Sequence, residues 1–312
     1  MEPLIPPVKT ELLERELLNG KFIRKTNKGH NEVYIFNHFD SPNLMQELGR
    51  VRELTFRAAG GGTGKALDLD EFDLNDTPYE QLIVWDPLEK QIVGGYRFIK
   101  MAKAGKYSNG TYKLATAELF KYSQNFIENY IPYTIELGRS FVQPYYQPTI
   151  NNKKGLFSLD NLWDGLGAIV VDNPDIKYFF GKVTMYKHFN LLARDYILSF
   201  MQYFFPDKDQ LVLPISPISI KNDVSLFLNE IKGLSYKEAH KILTQRVREL
   251  GEQIPPLVNN YMNLSPTMRS FGTADNIHFG DVEETGIMVT IADIYDSKKE
   301  RHVATYTGKQ IG

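Results

Sequence analysis

"YTIELGRSFV", residues 133–142, alternates apolar and polar positions as a strand does and sets a glycine between two charged residues, Glu136 and Arg139. In strict alternation those two side chains project to opposite faces, because side chains repeat every two residues. A bulge near Gly138 would bring both onto one face and open a backbone NH beside them. The neighbouring segments supply partners. "EQLIVWD" (80–86) and "KQIVGGYRFIKM" (90–101) read as a strand hairpin across "DPLEK". Downstream, "SLDNLWDGLGAIVVD" (158–172) reads as a helix capped by Ser158, and "KYFFGKVTM" (177–185) as another strand.

Further out, "ELLERELL" (11–18) is a short amphipathic helix, followed by strands "KFIRKT" and "NEVYIFNHF" around the turn "NKGH". In "SPNLMQELGRVRELTFRAA" (41–59), Ser41 suits an N-cap, Pro42 the first helical position, and Leu44, Leu48 and Val51 keep helical spacing. "LATAELFKY" (114–122), "NLLARDYILSFMQYFF" (190–205) and "SYKEAHKILTQRVREL" (235–250) also read as helices, and "GIMVTIADI" and "RHVATYT" as closing strands. This order predicts an α/β (α+β) fold, a mixed, mostly antiparallel central sheet with helices on both faces. The expected division is an N-terminal elaboration over 1–40 and one domain over 41–312 with a C-terminal extension.

The 312 residues are 42% hydrophobic, enough for a sizeable core, and 36 basic against 38 acidic residues give a net charge of −2. Such a balance creates no global field for nucleic acid or anionic membrane, so a charged partner must meet a local patch. With no cysteine, disulfides, a thiolate nucleophile and thiolate zinc are excluded. The six histidines lack zinc-like spacing, and no metal is expected. No secretory signal and no apolar run of spanning length are read, so cytoplasmic residence, free or at the membrane periphery, is the expectation.

"GGGTGKALDLDEFD" (60–73) begins like a phosphate-cradling loop, but Ala59 and Ala66 stand where a Walker loop needs glycine and a hydroxyl, and the loop follows a helix. As a calcium loop it fails at Phe72 and Asp73. What remains is a mobile glycine segment followed by an acidic one.

The ordered set Arg52 and Phe56, Asp70 and Asp73, Arg97 after "IVGGY", then Glu136 and Arg139, resembles bacterial acyl-homoserine-lactone (autoinducer) synthases and, more closely, ornithine-lipid and glycine-lipid N-acyltransferases of the GNAT fold. "LGRS", "LWDGLGAIV", "FFGKVTMY" and "IPPLVNNYMNL" extend the likeness to the lipid enzymes over roughly residues 44–295. The chain departs at Gln147, where an arginine is common, and at "PTINNKKG", which differs from the usual pyrophosphate loop. Both departures favour the acyl-phosphopantetheine thioester of acyl carrier protein as donor over acyl-CoA. No tryptophan stands in the glycine loop, against lactone synthesis. His188 and Asp195 lack the spacing of O-acyltransferases.

The resemblance implies a GNAT-like acyltransferase that moves a long, 3-hydroxylated acyl chain from acyl carrier protein to glycine or ornithine, with a separate O-acyltransferase completing an aminolipid, no tightly bound cofactor and no nucleic acid. It implies Glu136 and Arg139 as catalytic residues, Glu136 being the proton acceptor or an acceptor ligand. Arg52, Phe56, Asp70, Asp73, Arg97, Gly138, Ser140, Phe141 and Val142 would form the substrate pocket. In it Arg97 holds either the acidic loop or the acceptor carboxylate, Arg52 meets Asp70 or Asp73, and the two aspartates draw the substrate ammonium while residues 60–65 move as a lid. Without that set, a sheet-edge ion pair is the plainer account of Glu136 and Arg139. An acidic carrier needs a basic dock, for which Lys153, Lys154, Lys177, Lys182 and Lys187 are candidates. "YILSFMQYFF" suits a core helix, an acyl tunnel or a membrane contact. A CoA-dependent GNAT enzyme acting on another amine and a noncatalytic, haemolysin-like membrane-binding protein are the competing readings.

Overall fold

The structure, a computed structural model, describes residues 1–19 and 21–308. In chain order its elements are α1 (Thr10–Asn19), β1 (Lys21–Lys25), β2 (Glu32–Phe36), α2 (Pro42–Ala58), α3 (Glu71–Leu74), β3 (Glu80–Asp86), β4 (Gln91–Lys100), β5 (Phe120–Tyr122), α4 (Gln124–Asn129), β6 (Thr134–Val142), α5 (Asn152–Gly155) and α6 (Ser158–Asp172). There follow β7 (Tyr178–Tyr186), α7 (Leu191–Phe204), β8 (Val212–Pro214), α8 (Ser225–Ile231), α9 (Tyr236–Glu249), α10 (Pro256–Met262), β9 (Arg269–Asn276), β10 (Val282–Thr290) and α11 (Asp296–His302). Two compact units result, one from residues 1–115, 132–177 and 295 onward, the other from 116–131 and 178–294.

In the first unit β1-β2-β3-β4-β6 form an antiparallel sheet, so the N-terminal strands belong to the same sheet as the segment that carries Glu136. Alternation decides what each face meets. Leu82 on β3 lies against Gly165 of α6, where a Cβ would come within 2.8 Å of it. The next residue back, Gln81, points to the opposite face and pairs across the strands with Arg97. Helix α2 packs on β6 and brings Arg52 to that same polar face. The sheet therefore has a helix on each side, as the pattern predicted.

Ser41 occupies the N-cap position of α2, but its side chain makes no capping bond. Glu16 of α1 takes that role from outside, accepting from the backbone NH of Asn43 at 3.0 Å and of Leu44 at 2.8 Å. Glu16→Ala should therefore lower unfolding free energy by about 1 kcal/mol, the usual worth of a cap, in urea titration. Ser41→Ala should be close to neutral, and the reverse ranking would refute the assignment.

The second unit carries β7-β10-β9, antiparallel throughout, and the pair β5-β8. Phe126, Phe180 and Phe271 form its aromatic core. Ile197, Phe200 and Met201 of α7 are buried, so the apolar stripe of "YILSFMQYFF" is chiefly core. Three expectations fail. Ser158 does not cap α6 but is its first residue, its hydroxyl donating to the Lys154 carbonyl at 3.1 Å. "LATAELFKY" is not a helix, because Phe120–Tyr122 pairs as a strand with Val212–Pro214. "RHVATYT" is not a strand, because α11 runs to His302, with Asp296 in its first turn and Lys299, Arg301 and His302 in its last, charges that suit the helix dipole.

Candidate active site

Arg52 projects from the buried face of α2 and is 1% exposed. Its Nε donates to Asp68 Oδ2 at 2.9 Å, and its Nη1 and Nη2 donate to Asp73 Oδ1 and Oδ2 at 3.3 and 3.2 Å. Asp73 is placed by local backbone chemistry. Asp70 caps α3 by accepting from the backbone NH groups of Phe72 and Asp73, while Asp73 returns a bond from the Asp70 NH, a reciprocal capping box. From β4, Arg97 Nη1 donates to both oxygens of Asp70, at 2.7 and 2.8 Å, and to Asp73 at 3.2 Å. From β6, Arg139 donates to Asp68 at 3.1 Å and to Asp70 at 3.3 Å. Gln81 Nε2 completes the shell of Asp73 at 2.9 Å.

Burial alone would lower the pKa of Arg52 and Arg97, but the adjacent aspartates outweigh it and raise both. Burial would likewise raise Asp70, yet Arg97, Arg139 and Arg52 hold it well below the ordinary carboxylate range. Arg52, Arg97 and Asp70 are thus held in their charged forms. Such a network is maintained by mutual compensation, and removing one member leaves buried charge uncompensated.

Glu136 is buried on the same face and accepts a 2.7 Å bond from the Tyr79 hydroxyl. That hydroxyl accepts in turn from the Ala115 NH at 3.0 Å. Burial, then the neighbouring Glu136 charge, pushes the Tyr79 phenol far above its usual pKa, so it remains a proton-bearing donor to the carboxylate. The bulge lies next to Gly138. Between Gly138 and Phe141, β6 carries Arg139 and Ser140 opposite the single residue Tyr96 of β4, and Arg139 has φ +48°. A non-glycine residue in that region is strained, and the ion pairs to Asp68 and Asp70 hold it there. The bulge brings Arg139 and Glu136 to one working face.

A GNAT acetyltransferase domain model matches residues 51–151, a segment that contains every charged residue of this cluster. Two relatives, from Phocaeicola vulgatus and Bacteroides thetaiotaomicron, both named glycine Nα-acyltransferase, are 52% and 50% identical over 306 residues, covering 98% of this chain and 94% and 91% of theirs. The chain belongs to the glycine Nα-acyltransferase family. It is an N-acyltransferase on a GNAT-type α/β fold.

In this acyltransferase the sequence-predicted residues Arg52, Asp70, Asp73, Arg97, Glu136 and Arg139 lie on one sheet face. Phe56 packs edge-on against Phe141 at 6.3 Å, both in the core, and Ser140 and Val142 are half-buried beside them on β6. Arg52 meets Asp73 as expected, but its second partner is Asp68, not Asp70. Asp73, fully buried under two guanidiniums and Gln81, has no face left for a substrate ammonium, and of the two predicted aspartates only Asp70 keeps solvent access. Sequence reasoning missed Asp68, Tyr79 and Gln81. The alternation of β3 placed Gln81 opposite its apolar neighbours, and Asp68 stood in the same acidic run.

The glycine loop of the acyltransferase is pinned. Glu53 accepts from the NH of Thr63 at 2.9 Å, the hydroxyl of Thr63 at 2.8 Å and the NH of Gly64 at 2.8 Å. Amides that would cradle a phosphate in a Walker loop here hold a carboxylate of the protein. Gly62, at φ +95°, keeps the loop clear of that carboxylate, since a Cβ would come within 3.1 Å of Glu53 Oε1. Arg57 and Glu2 brace the loop's other side. A freely moving lid over 60–65 is not what these bonds describe.

The candidate docking lysines differ in their surroundings. Lys182 is paired with Glu284 and its side chain is 10% exposed. Lys154 is tied to Asp86 at 3.0 Å and Glu89 at 2.7 Å, Lys187 to Asp275 and Asp281, and Lys177 lies over the Tyr133 ring. Lys153 is exposed. No described helix is long and apolar enough to cross a membrane.

Proposed function

We propose that this enzyme transfers a long 3-hydroxyacyl chain from the phosphopantetheine thioester of an acyl carrier protein to the amine of glycine, making the N-acyl amino acid from which an aminolipid is built. The observation that carries the acceptor is the likeness over 98% of the chain to two proteins named glycine Nα-acyltransferase. In this reading the neutral amine attacks the thioester carbonyl, the C–N bond forms, the C–S bond breaks and the pantetheine thiol leaves with a proton. Without cysteine in the chain, direct transfer needs no acyl-enzyme. Glu136, held by Tyr79, accepts the amine's proton directly or through water. In this reading the backbone at the Arg139 bulge meets the carbonyl oxygen. Exposed Lys153 and Lys177 are the candidate lysines whose charge would attract an acidic carrier.

Purified enzyme mixed with 3-hydroxyacyl carrier protein and a pool of free amino acids should yield N-acylglycine as the main product by mass spectrometry. Acylation of glycine from acyl-CoA alone would replace the donor and keep the acceptor. Acylation of ornithine instead of glycine would overturn the acceptor, and consumption of neither donor would overturn the reading.

A further inference from the structure

The Arg97 guanidinium is anchored from three sides. Nη1 makes all of its described hydrogen bonds, to Asp70 and Asp73. The Tyr79 and Phe72 rings lie 5.1 and 5.6 Å from the guanidinium carbon. Yet Nε is buried without a partner, and none of the described bonds uses Nη2. The side chain is 2% exposed, so water does little to satisfy these donors. Nε and Nη2 form the edge of a guanidinium that binds a carboxylate side-on through two parallel bonds.

Gly138 lies beside that edge. It sits directly across from Arg97 in the β4–β6 register, and a Cβ there would lie 3.4 Å from Arg97 Nε. We propose that the Nε–Nη2 edge of Arg97 is the receptor for the α-carboxylate of the acceptor amino acid, and that Gly138 is the residue that leaves it open. The proposal rests on the reading that the acceptor is an amino acid. It divides the labour of Arg97 by atom, with Nη1 holding the acidic loop and the opposite edge holding substrate. Charge adds selectivity. Arg52, Arg97 and Arg139 balance Asp68, Asp70 and Asp73, with Glu136 beside them. A zwitterion enters that balance without adding net charge, whereas a bare anion adds one.

The test compares glycine with glycinamide, which keeps the amine and loses the carboxylate, in the wild-type enzyme with one acyl donor. kcat/KM for glycinamide should fall at least about 100-fold, because a buried fork is left unpaired. In Gly138→Ala the added methyl, at ordinary contact distance, should raise glycine KM several-fold more than it lowers kcat and narrow the gap between the two acceptors. Calorimetric titration of donor-free enzyme gives a readout apart from turnover: glycine should bind and glycinamide should not. Equal use of glycine and glycinamide would overturn the fork and leave glycine acylation standing. If no amino acid is acylated, the functional reading fails, and the titration alone then decides the fork, glycine binding supporting it and its absence overturning it.

Discussion

Asp73→Asn lowers the stability of the folded protein by about 3–5 kcal/mol, the cost of removing one partner from a buried ion network. Asp73 is fully buried, and its carboxylate receives Arg52, Arg97, Gln81 and the Asp70 NH. Asparagine keeps the shape and one acceptor oxygen but presents an NH2 where guanidinium protons now point. Two buried arginines then face a reduced charge, and the capping box that sets Asp70 is lost with it. Glu230→Gln, in an exposed pair with Arg246, should leave the urea midpoint where it was. A loss below about 1 kcal/mol in Asp73→Asn would mean that the cluster is hydrated and its charges screened, against its burial. Activity should fall together with stability, since the same carboxylate fixes both Arg52 and the loop that carries Asp70.

The fold was legible where hydrophobic period and turn chemistry agreed. The β3–β4 hairpin, α2, α6, α7 and α9 follow from local pattern alone, because each buries a face that its own residues mark out. "LATAELFKY" misled because its helical residues are overridden by pairing with a strand about 90 positions later in the chain, information that no local window holds. The site was legible by residue type and order, and the bulge by the mismatch of Glu136 and Arg139 with strand alternation. Its partnerships were not. Asp68, Asp70 and Asp73 stand in one acidic run, and only the turn geometry at α3 decides which arginine each meets. Tyr79 precedes its strand by one residue and lies outside its pattern, while the fold sends its hydroxyl to Glu136, 57 residues away. The glycine run read as mobile because the acceptor of its amides, Glu53, lies on a different element, one residue from Arg52.

Glu136→Gln should cut kcat by about 100- to 10,000-fold, the range that general base catalysis supplies, with glycine KM within about threefold of wild type. The substitution isolates the chemistry because glutamine keeps the length of the side chain and an oxygen that can still accept from Tyr79. Packing around this buried position is therefore retained, while the ability to take a proton is lost. The two roles left open for Glu136 separate cleanly in steady-state kinetics. A base acts in the transition state and lowers kcat when removed, whereas a ligand for the acceptor ammonium binds substrate and raises KM. Tyr79→Phe adds an independent handle, since it removes the 2.7 Å bond to the carboxylate without touching the carboxylate itself. An ionised carboxylate that loses a donor is less favoured relative to its protonated form, so the acid limb of the kcat profile should move to higher pH. The decisive pattern is joint: a large kcat loss in Glu136→Gln with a displaced acid limb in Tyr79→Phe identifies the pair as base and positioning residue. A KM rise in Glu136→Gln at unchanged kcat would instead make Glu136 the ammonium ligand and pass the amine's proton directly to solvent.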